Sequence, residues 1–290
     1  MLSKRIVARL DIKGPNLVKG IHLEGLRVLG KPQDFARYYY KTGADELIFM
    51  DVVASLYNRN SLVDIISKTA KEIFIPLIVG GGLRSIEDIS TVLRAGADKV
   101  SINTAAVNNP EIIKMASRTF GSSTIIVAIE TIKQPDGKYI VYTDNGRNYT
   151  GLDAIEWAQQ AQDLGAGEIL ITSVDNEGTG RGLDIEIINL ITRSVSIPVI
   201  VHGGVGELSH INDVFKNQAV DAVAIASLIH YEYVKNTKFI RGFEKEGNLE
   251  FLKSGRVNSK IKPSTIQEIK KHLSSKNICI RKNRRSHISI

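Results

Sequence analysis

Two acidic residues stand where they can share proton-transfer work. Asp11 closes the apolar run Arg5–Asp11, and Glu130 closes Thr124–Glu130, 119 residues further on. If both runs are strands of one closed sheet, the two carboxyl groups face each other across its mouth. They can then divide general acid and general base duties. A structural reading pairs one acid with a lysine such as Lys13 or Lys19 instead. Two glycine clusters accompany the acids. Gly80–Gly82 follows PLIV and Gly203–Gly204 follows PVIVH, with 123 residues between Gly80 and Gly203. The next run ends in Asn103–Thr104 in the first case and in Ala226–Ser227 in the second. Glycine lets backbone N–H groups approach an anion, and a helix start behind it adds a positive dipole end. A tight turn without a ligand accounts for one cluster. Two related clusters point to a substrate carrying a phosphate at each end.

The elements that must position these residues are legible as β-branched runs alternating with amphipathic segments of helical spacing, the pattern of βαβ units and a parallel sheet. Eight runs are expected as strands: Arg5–Asp11, Glu46–Asp51, Pro76–Val79, Lys99–Asn103, Thr124–Glu130, Glu168–Ser173, Pro198–His202 and Asp221–Ala226. Helices are expected between them, among them Pro32–Thr42, Ser61–Ile73, one capped by Ser85 with Asp88, and one opening at Asn109–Pro110. The half-to-half echo makes the expected fold an α/β (βα)8 TIM barrel built from two (βα)4 halves. An open, doubly wound sheet is the alternative. Residues 133–147 read as a hairpin after strand five. Residues 231–264 form a long excursion after strand eight, so the barrel domain spans 1–281 and a basic tail takes 282–290.

In such a barrel chemistry sits at the C-terminal strand ends. Strand six leads there to Glu177 and Gly178, and strand seven to His202, for which a satisfied polar contact or a substrate contact is expected. The strand starts tell a second story. Arg5, Glu46, Lys99 and Glu168 open strands one, two, four and six and would meet on the opposite face as a salt-bridged ring.

Net charge is +7, partly in KNRR at 282–285, but aromatic and basic residues do not interleave as in a nucleic-acid module. The six histidines lack metal-ligand spacing, and neither HxxxH, CxxC, a nucleophile elbow nor a Walker loop is present, so no metal or cofactor is expected. A single cysteine, no signal-like start and no long apolar run suggest a soluble cytoplasmic protein without a membrane span.

Seven motifs carry a resemblance: KRIVARLDIK, ADELIFMDVVAS, IPLIVGGGLRS, AGADKVSINTAAVNNPE, TGLDAIEWA, GAGEILITS and GTGRG. Together they resemble the cyclase subunit of imidazole glycerol phosphate synthase, from Met1 to about His230 and again through NICIR at 277–281. The resemblance implies a lyase of histidine biosynthesis, supplied with ammonia by a glutaminase partner docked on the N-terminal face of the barrel. It implies a bisphosphorylated substrate, the phosphoribulosyl-formimino aminoimidazole carboxamide ribonucleotide. The family's two catalytic acids fall on Asp11 and Glu130, and its flexible-loop lysine on Lys19. Its phosphate positions fall on Gly82, Asn103 and Thr104, and on Gly178, Gly203, Gly204, Ala226 and Ser227. Its ammonia gate falls on Arg5, Glu46, Lys99 and Glu168.

The chain also departs from the family pattern. Glu130 and Glu177 stand where Asp is usual, Arg9 where Cys is usual, and His202 where a small residue is usual, while GPN follows Lys13 in place of DG. A change in which substrate fits is the expectation for Arg9 and His202. Divergent relatives of this cyclase serve ATP-dependent sugar amidotransferases in surface-polysaccharide synthesis, so the alternative expectation is a cyclase-like subunit that conducts ammonia to such a partner instead of closing a ring. The doubled cradle leads to a first test: titration with inorganic phosphate should saturate at two equivalents per chain. Saturation at one would remove one cradle.

Overall fold

The computed structural model describes residues 3–54, 62–217, 219–236 and 260–281. In chain order the strands are β1 Arg5–Lys13, β2 Asn16–Ile21, β3 Glu24–Gly30, β4 Glu46–Asp51, β5 Leu77–Gly80 and β6 Lys99–Ile102. They continue with β7 Ile125–Lys133, β8 Tyr139–Thr143, β9 Asn148–Asp153, β10 Glu168–Ser173, β11 Val199–His202 and β12 Ala222–Ile225. Eight of them pair in parallel around a ring, β1-β4-β5-β6-β7-β10-β11-β12. β12 returns to β1 with Arg5 beside Ala222 and Ala8 beside Ile225. The sheet is therefore a closed barrel and not an open, doubly wound one. All eight barrel strands lie within three residues of their expected bounds.

A strand places successive side chains on opposite faces, and this alternation sorts the core. On β1, Ile6, Ala8 and Leu10 join the large apolar cluster beneath the helices. Val7 joins Ile48, Ile78, Ile126, Leu170 and Ile200 in a separate cluster that fills the barrel axis. Arg5, Arg9 and Asp11 share the face of Val7, so charge and hydrocarbon alternate in layers along the interior.

The helices are α1 Pro32–Thr42, α2 Val63–Ala70, α3 Ile86–Arg94, α4 Thr104–Asn108, α5 Glu111–Phe120, α6 Ala154–Asp163, α7 Ile185–Ser194, α8 Leu208–Phe215, α9 Ser227–Asn236 and α10 Ile266–Ser275. Ser85 and Asp88 form the expected capping box on α3, and Asp153 caps α6. Asn109 does not cap α5. Pro110 occupies the cap position, and the preceding residues form the short α4.

Two antiparallel hairpins interrupt the βα rhythm. One, β8–β9, extends from β7, as expected, but reaches to Asp153 and so runs past the expected end at 147. The other, β2–β3, extends from β1 and was not expected from the sequence. β1 and β7 are the first and fifth barrel strands, so the half-barrel echo includes the hairpins. Each begins immediately beyond one of the acids, with Asp11 paired to Val18 and Glu130 to Tyr142. The expected excursion at 231–264 starts later than supposed, because 231–236 complete α9. The stretch 237–259 and the basic tail 282–290 lie outside the described residues.

The floor of the barrel is stitched to the end of the described chain. Lys4 N–H donates to the Cys279 carbonyl at 2.8 Å, and Lys4 bridges to Ile280 in parallel. Lys270 Nζ reaches Asp45 Oδ1 at 2.7 Å, while Asp45 Oδ2 accepts the N–H of Ile6 at 2.8 Å. Both members of this ion pair are buried. Lys270→Ala would leave Asp45 as an uncompensated buried charge, so urea denaturation should show a loss of about 3–5 kcal/mol. A loss below about 1 kcal/mol would place the pair among weak surface contacts.

Candidate active site

The mouth of the barrel contains a cavity of about 280 Å³. It brings together Gly82, Asn103, Thr104 and Glu130 from the expected site, and adds Arg9, Arg84, Asp144, Asn145 and Thr172. A second, much smaller cleft of about 10 Å³ gathers Glu177, Gly178, Gly203, Gly204, Ala226 and Ser227 beside His202. The two glycine clusters thus lie at different cavities of one mouth. Asp11 and Lys19 line neither cavity, and both are buried.

The reason is the β2–β3 hairpin, which folds over the mouth and is fastened there. The Lys19 ammonium forms an ion pair with Glu177, both side chains being 1% exposed. Glu177 Oε2 also accepts the N–H of Leu23 at 3.0 Å, and its carbonyl accepts that of His22 at 2.9 Å. From the other side, Asn145 Nδ2 donates to the Leu23 carbonyl at 2.8 Å. Gly178 is the seat of this contact. Its φ is +72°, and a Cβ there would lie 2.5 Å from the Gly20 carbonyl oxygen. Gly203 makes a similar approach on the neighbouring strand end, where φ is +102° and a Cβ would meet the Ser173 carbonyl oxygen at 2.6 Å.

Asp11 is held by neither Lys13 nor Lys19 through a direct bond. Arg9 is its partner: Nε donates to Asp11 Oδ1 at 2.8 Å. Burial by itself would raise the Asp11 pKa. The charges of Arg9 and Lys19, with the Arg9 hydrogen bond, outweigh it and leave the carboxyl below its ordinary range. Glu130 goes the other way. Burial is the largest influence and raises it, and Asp11 and Asp144 add to the rise. Arg9 and the N–H of Gly146, which donates to Oε2 at 2.8 Å, resist, and the outcome is about 7. The two carboxyl groups therefore differ in state near neutral pH, with Asp11 ionised and Glu130 able to carry a proton.

His202 makes the satisfied polar contact. Arg9 Nη1 lies 3.1 Å from its Nδ1 and 3.2 Å from Thr172 Oγ1. A guanidinium only donates, so Nδ1 must accept and the ring proton resides on Nε2. Burial first, then the charges of Arg9 and Lys19, keep this imidazole neutral by lowering its pKa well below the ordinary value.

In the first cradle, Asn103 Nδ2 donates to the Tyr142 carbonyl at 3.4 Å, and Thr104 Oγ1 accepts the N–H of Asp144 at 3.1 Å. Both belong to contacts with the β8–β9 hairpin. Asp144 and Asn145 adopt positive φ in its turn. A hairpin over 133–147 was expected, but the place of its turn over the cavity depends on tertiary packing.

At the opposite face Arg5, Glu46, Lys99 and Glu168 do form a ring. Arg5 Nη1 donates to Glu46 Oε1 at 2.9 Å and its Nη2 pairs with Glu168. Lys99 Nζ lies 3.1 Å from Glu168 Oε2 and 3.7 Å from Glu46 Oε1. Two cations and two anions cancel, and the apolar axial cluster separates this ring from the Arg9 layer.

Gly178→Ala puts a side chain into the hairpin's seat. Hydrogen exchange should then quicken across 16–30 while the barrel strands keep their protection. Unchanged exchange in the hairpin would mean that Lys19 and Glu177 hold it without the close approach.

Known proteins resemble this chain in sequence. The histidine biosynthesis protein family matches residues 5–235. The imidazole glycerol phosphate synthase subunit HisF of Legionella pneumophila is 54% identical over 212 residues, covering 73% of this chain and 100% of that protein.

Proposed function

We propose the following chemistry on the premise that the chain belongs to the histidine biosynthesis protein family, as a cyclase subunit of imidazole glycerol phosphate synthase. The substrate is the bisphosphorylated phosphoribulosyl-formimino aminoimidazole carboxamide ribonucleotide. The nitrogen of ammonia bonds to the ribulosyl carbonyl carbon, whose oxygen leaves as water. That nitrogen then closes on the formimino carbon, and the bond from this carbon to the aminoimidazole amine breaks. The products are imidazole glycerol phosphate and the aminoimidazole carboxamide ribonucleotide. Asp11 takes protons from the attacking nitrogen, and Glu130 delivers them to the departing oxygen and amine.

The observation that carries this assignment is the opposite displacement of the two carboxyl groups. An ionised carboxylate and a protonated one in the same mouth supply a base and an acid together. The two phosphates would occupy the cradles at Gly82, Asn103 and Thr104 and at Gly178, Gly203, Gly204, Ala226 and Ser227. Lys19 and Glu177 would release and refasten the hairpin as substrate enters, the kind of lid motion that excludes water from such sites.

Ammonia would come from a glutaminase subunit at the floor. The neutral ring of Arg5, Glu46, Lys99 and Glu168 offers it donors and acceptors. The hydrocarbon layer above favours neutral ammonia over ammonium, because an unpaired ion there costs several kcal/mol. Phe74, 79% exposed just before the start of β5, gives the same face an apolar contact for a partner.

Purified chain with ammonium and the nucleotide should release both products. Asp11→Asn and Glu130→Gln should each lose about 10²–10⁴-fold in turnover. Wild-type kcat/KM should fall as pH rises through about 7, where Glu130 gives up its proton. That limb should be missing from the residual activity of Glu130→Gln. A wild-type chain that releases no imidazole glycerol phosphate would overturn the assignment.

A further inference from the structure

Arg9 makes three side-chain hydrogen bonds, one along its own strand and two to other strands of the barrel, and has one group left over. Nε serves Asp11, and Nη1 serves Thr172 and His202. Nη2 is buried and has no hydrogen-bond partner among the described residues. The residue is 1% exposed and lines the same cavity as Glu130 and Asn103. A guanidinium N–H left without an acceptor in such a place is costly, and the cost disappears when a ligand brings the acceptor.

Charge bookkeeping narrows the acceptor. The positive charge of Arg9 is already met by Asp11 and that of Lys19 by Glu177. A further carboxylate or phosphate at Nη2 would bring a second anion to a guanidinium that Asp11 already neutralises. A neutral oxygen needs no counter-charge. The fixed tautomer of His202 and the hydroxyl of Thr172 hold Nη1, so the guanidinium plane cannot turn away from the cavity without breaking two contacts.

We propose that Arg9 is a specificity-determining residue whose Nη2 donates to a neutral carbonyl oxygen of the substrate, between its two phosphates. This rests on the substrate reading given above. Arg9 thereby ties the base Asp11 and the substrate carbonyl to one rigid group.

The test is titration calorimetry with the bisphosphorylated nucleotide in the absence of ammonium, on wild type, Arg9→Lys and Arg9→Gln. Lysine keeps a cation beside Asp11 but cannot reach Asp11, Thr172 and a ligand at once. Nucleotide affinity should fall about 10–100-fold in Arg9→Lys, the range of one hydrogen bond to a charged group. Inorganic phosphate should bind both variants as it binds wild type, which also reports an intact fold. In Arg9→Gln the acid limb of the pH–rate profile should move upward, because Asp11 loses its cation. Lysine should leave that limb in place. Equal or tighter nucleotide binding by both variants would overturn the proposal, tighter binding meaning that Arg9 merely fills the mouth. Failure of wild type to bind the nucleotide is a separate result and would remove the substrate assignment.

Discussion

The axis of a closed barrel admits one side chain in every two from each strand and has no water to shield a charge. Every charged residue that points inward must therefore find a partner from another strand or from its own. This protein meets that constraint in layers. Arg5, Lys99, Glu46 and Glu168 cancel at the floor, and hydrocarbon from Val7, Ile48, Ile126 and Leu170 fills the middle. Arg9, Asp11, Thr172 and His202 are tied together at the mouth. The protonation states that make the mouth chemically useful follow from the same constraint. Asp11 has a cation within bonding distance, and among the described residues Glu130 has only a backbone N–H at its carboxylate.

Residues at strand ends could be read from the sequence because a parallel strand announces its own limits. The β-branched run stops, and the next residue stands at the rim. Asp11, Glu130, the glycine clusters and the floor ring were all found this way. The echo between halves favoured a barrel over an open sheet, and the pairing of β12 with β1 closes it. What the text could not reveal was which rim residue touches which. Arg9 sits two positions before Asp11, a spacing that places both on one strand face, yet the lysines Lys13 and Lys19 were the evident candidates for an ion pair. Lys19 proved to bond Glu177, 158 residues away.

The β2–β3 hairpin was overlooked for a related reason. Its text, NLVKGIHLEGLRVLG, mixes lysine, glycine and leucine without clean alternation, because both faces are partly covered once it lies on the barrel. Its position depends on Glu177 and on a glycine at 178 that has room for its backbone. The β8–β9 hairpin was foreseen from its turn residues, but its second strand is largely exposed and carries little hydrophobic signal, so its length was underestimated.

The stitching of residues 277–281 to the start of β1 gives the molecule a built-in reporter. Cys279 is the sole cysteine of the sequence, and its side chain is exposed. Its carbonyl is bonded to the residue immediately before Arg5. A dye or spin label coupled to that thiol would sit at the rim of the charged floor, with no competing attachment point. Anything that settles on this face, or that pulls the first strand out of register, would alter the label's surroundings while leaving the mouth untouched.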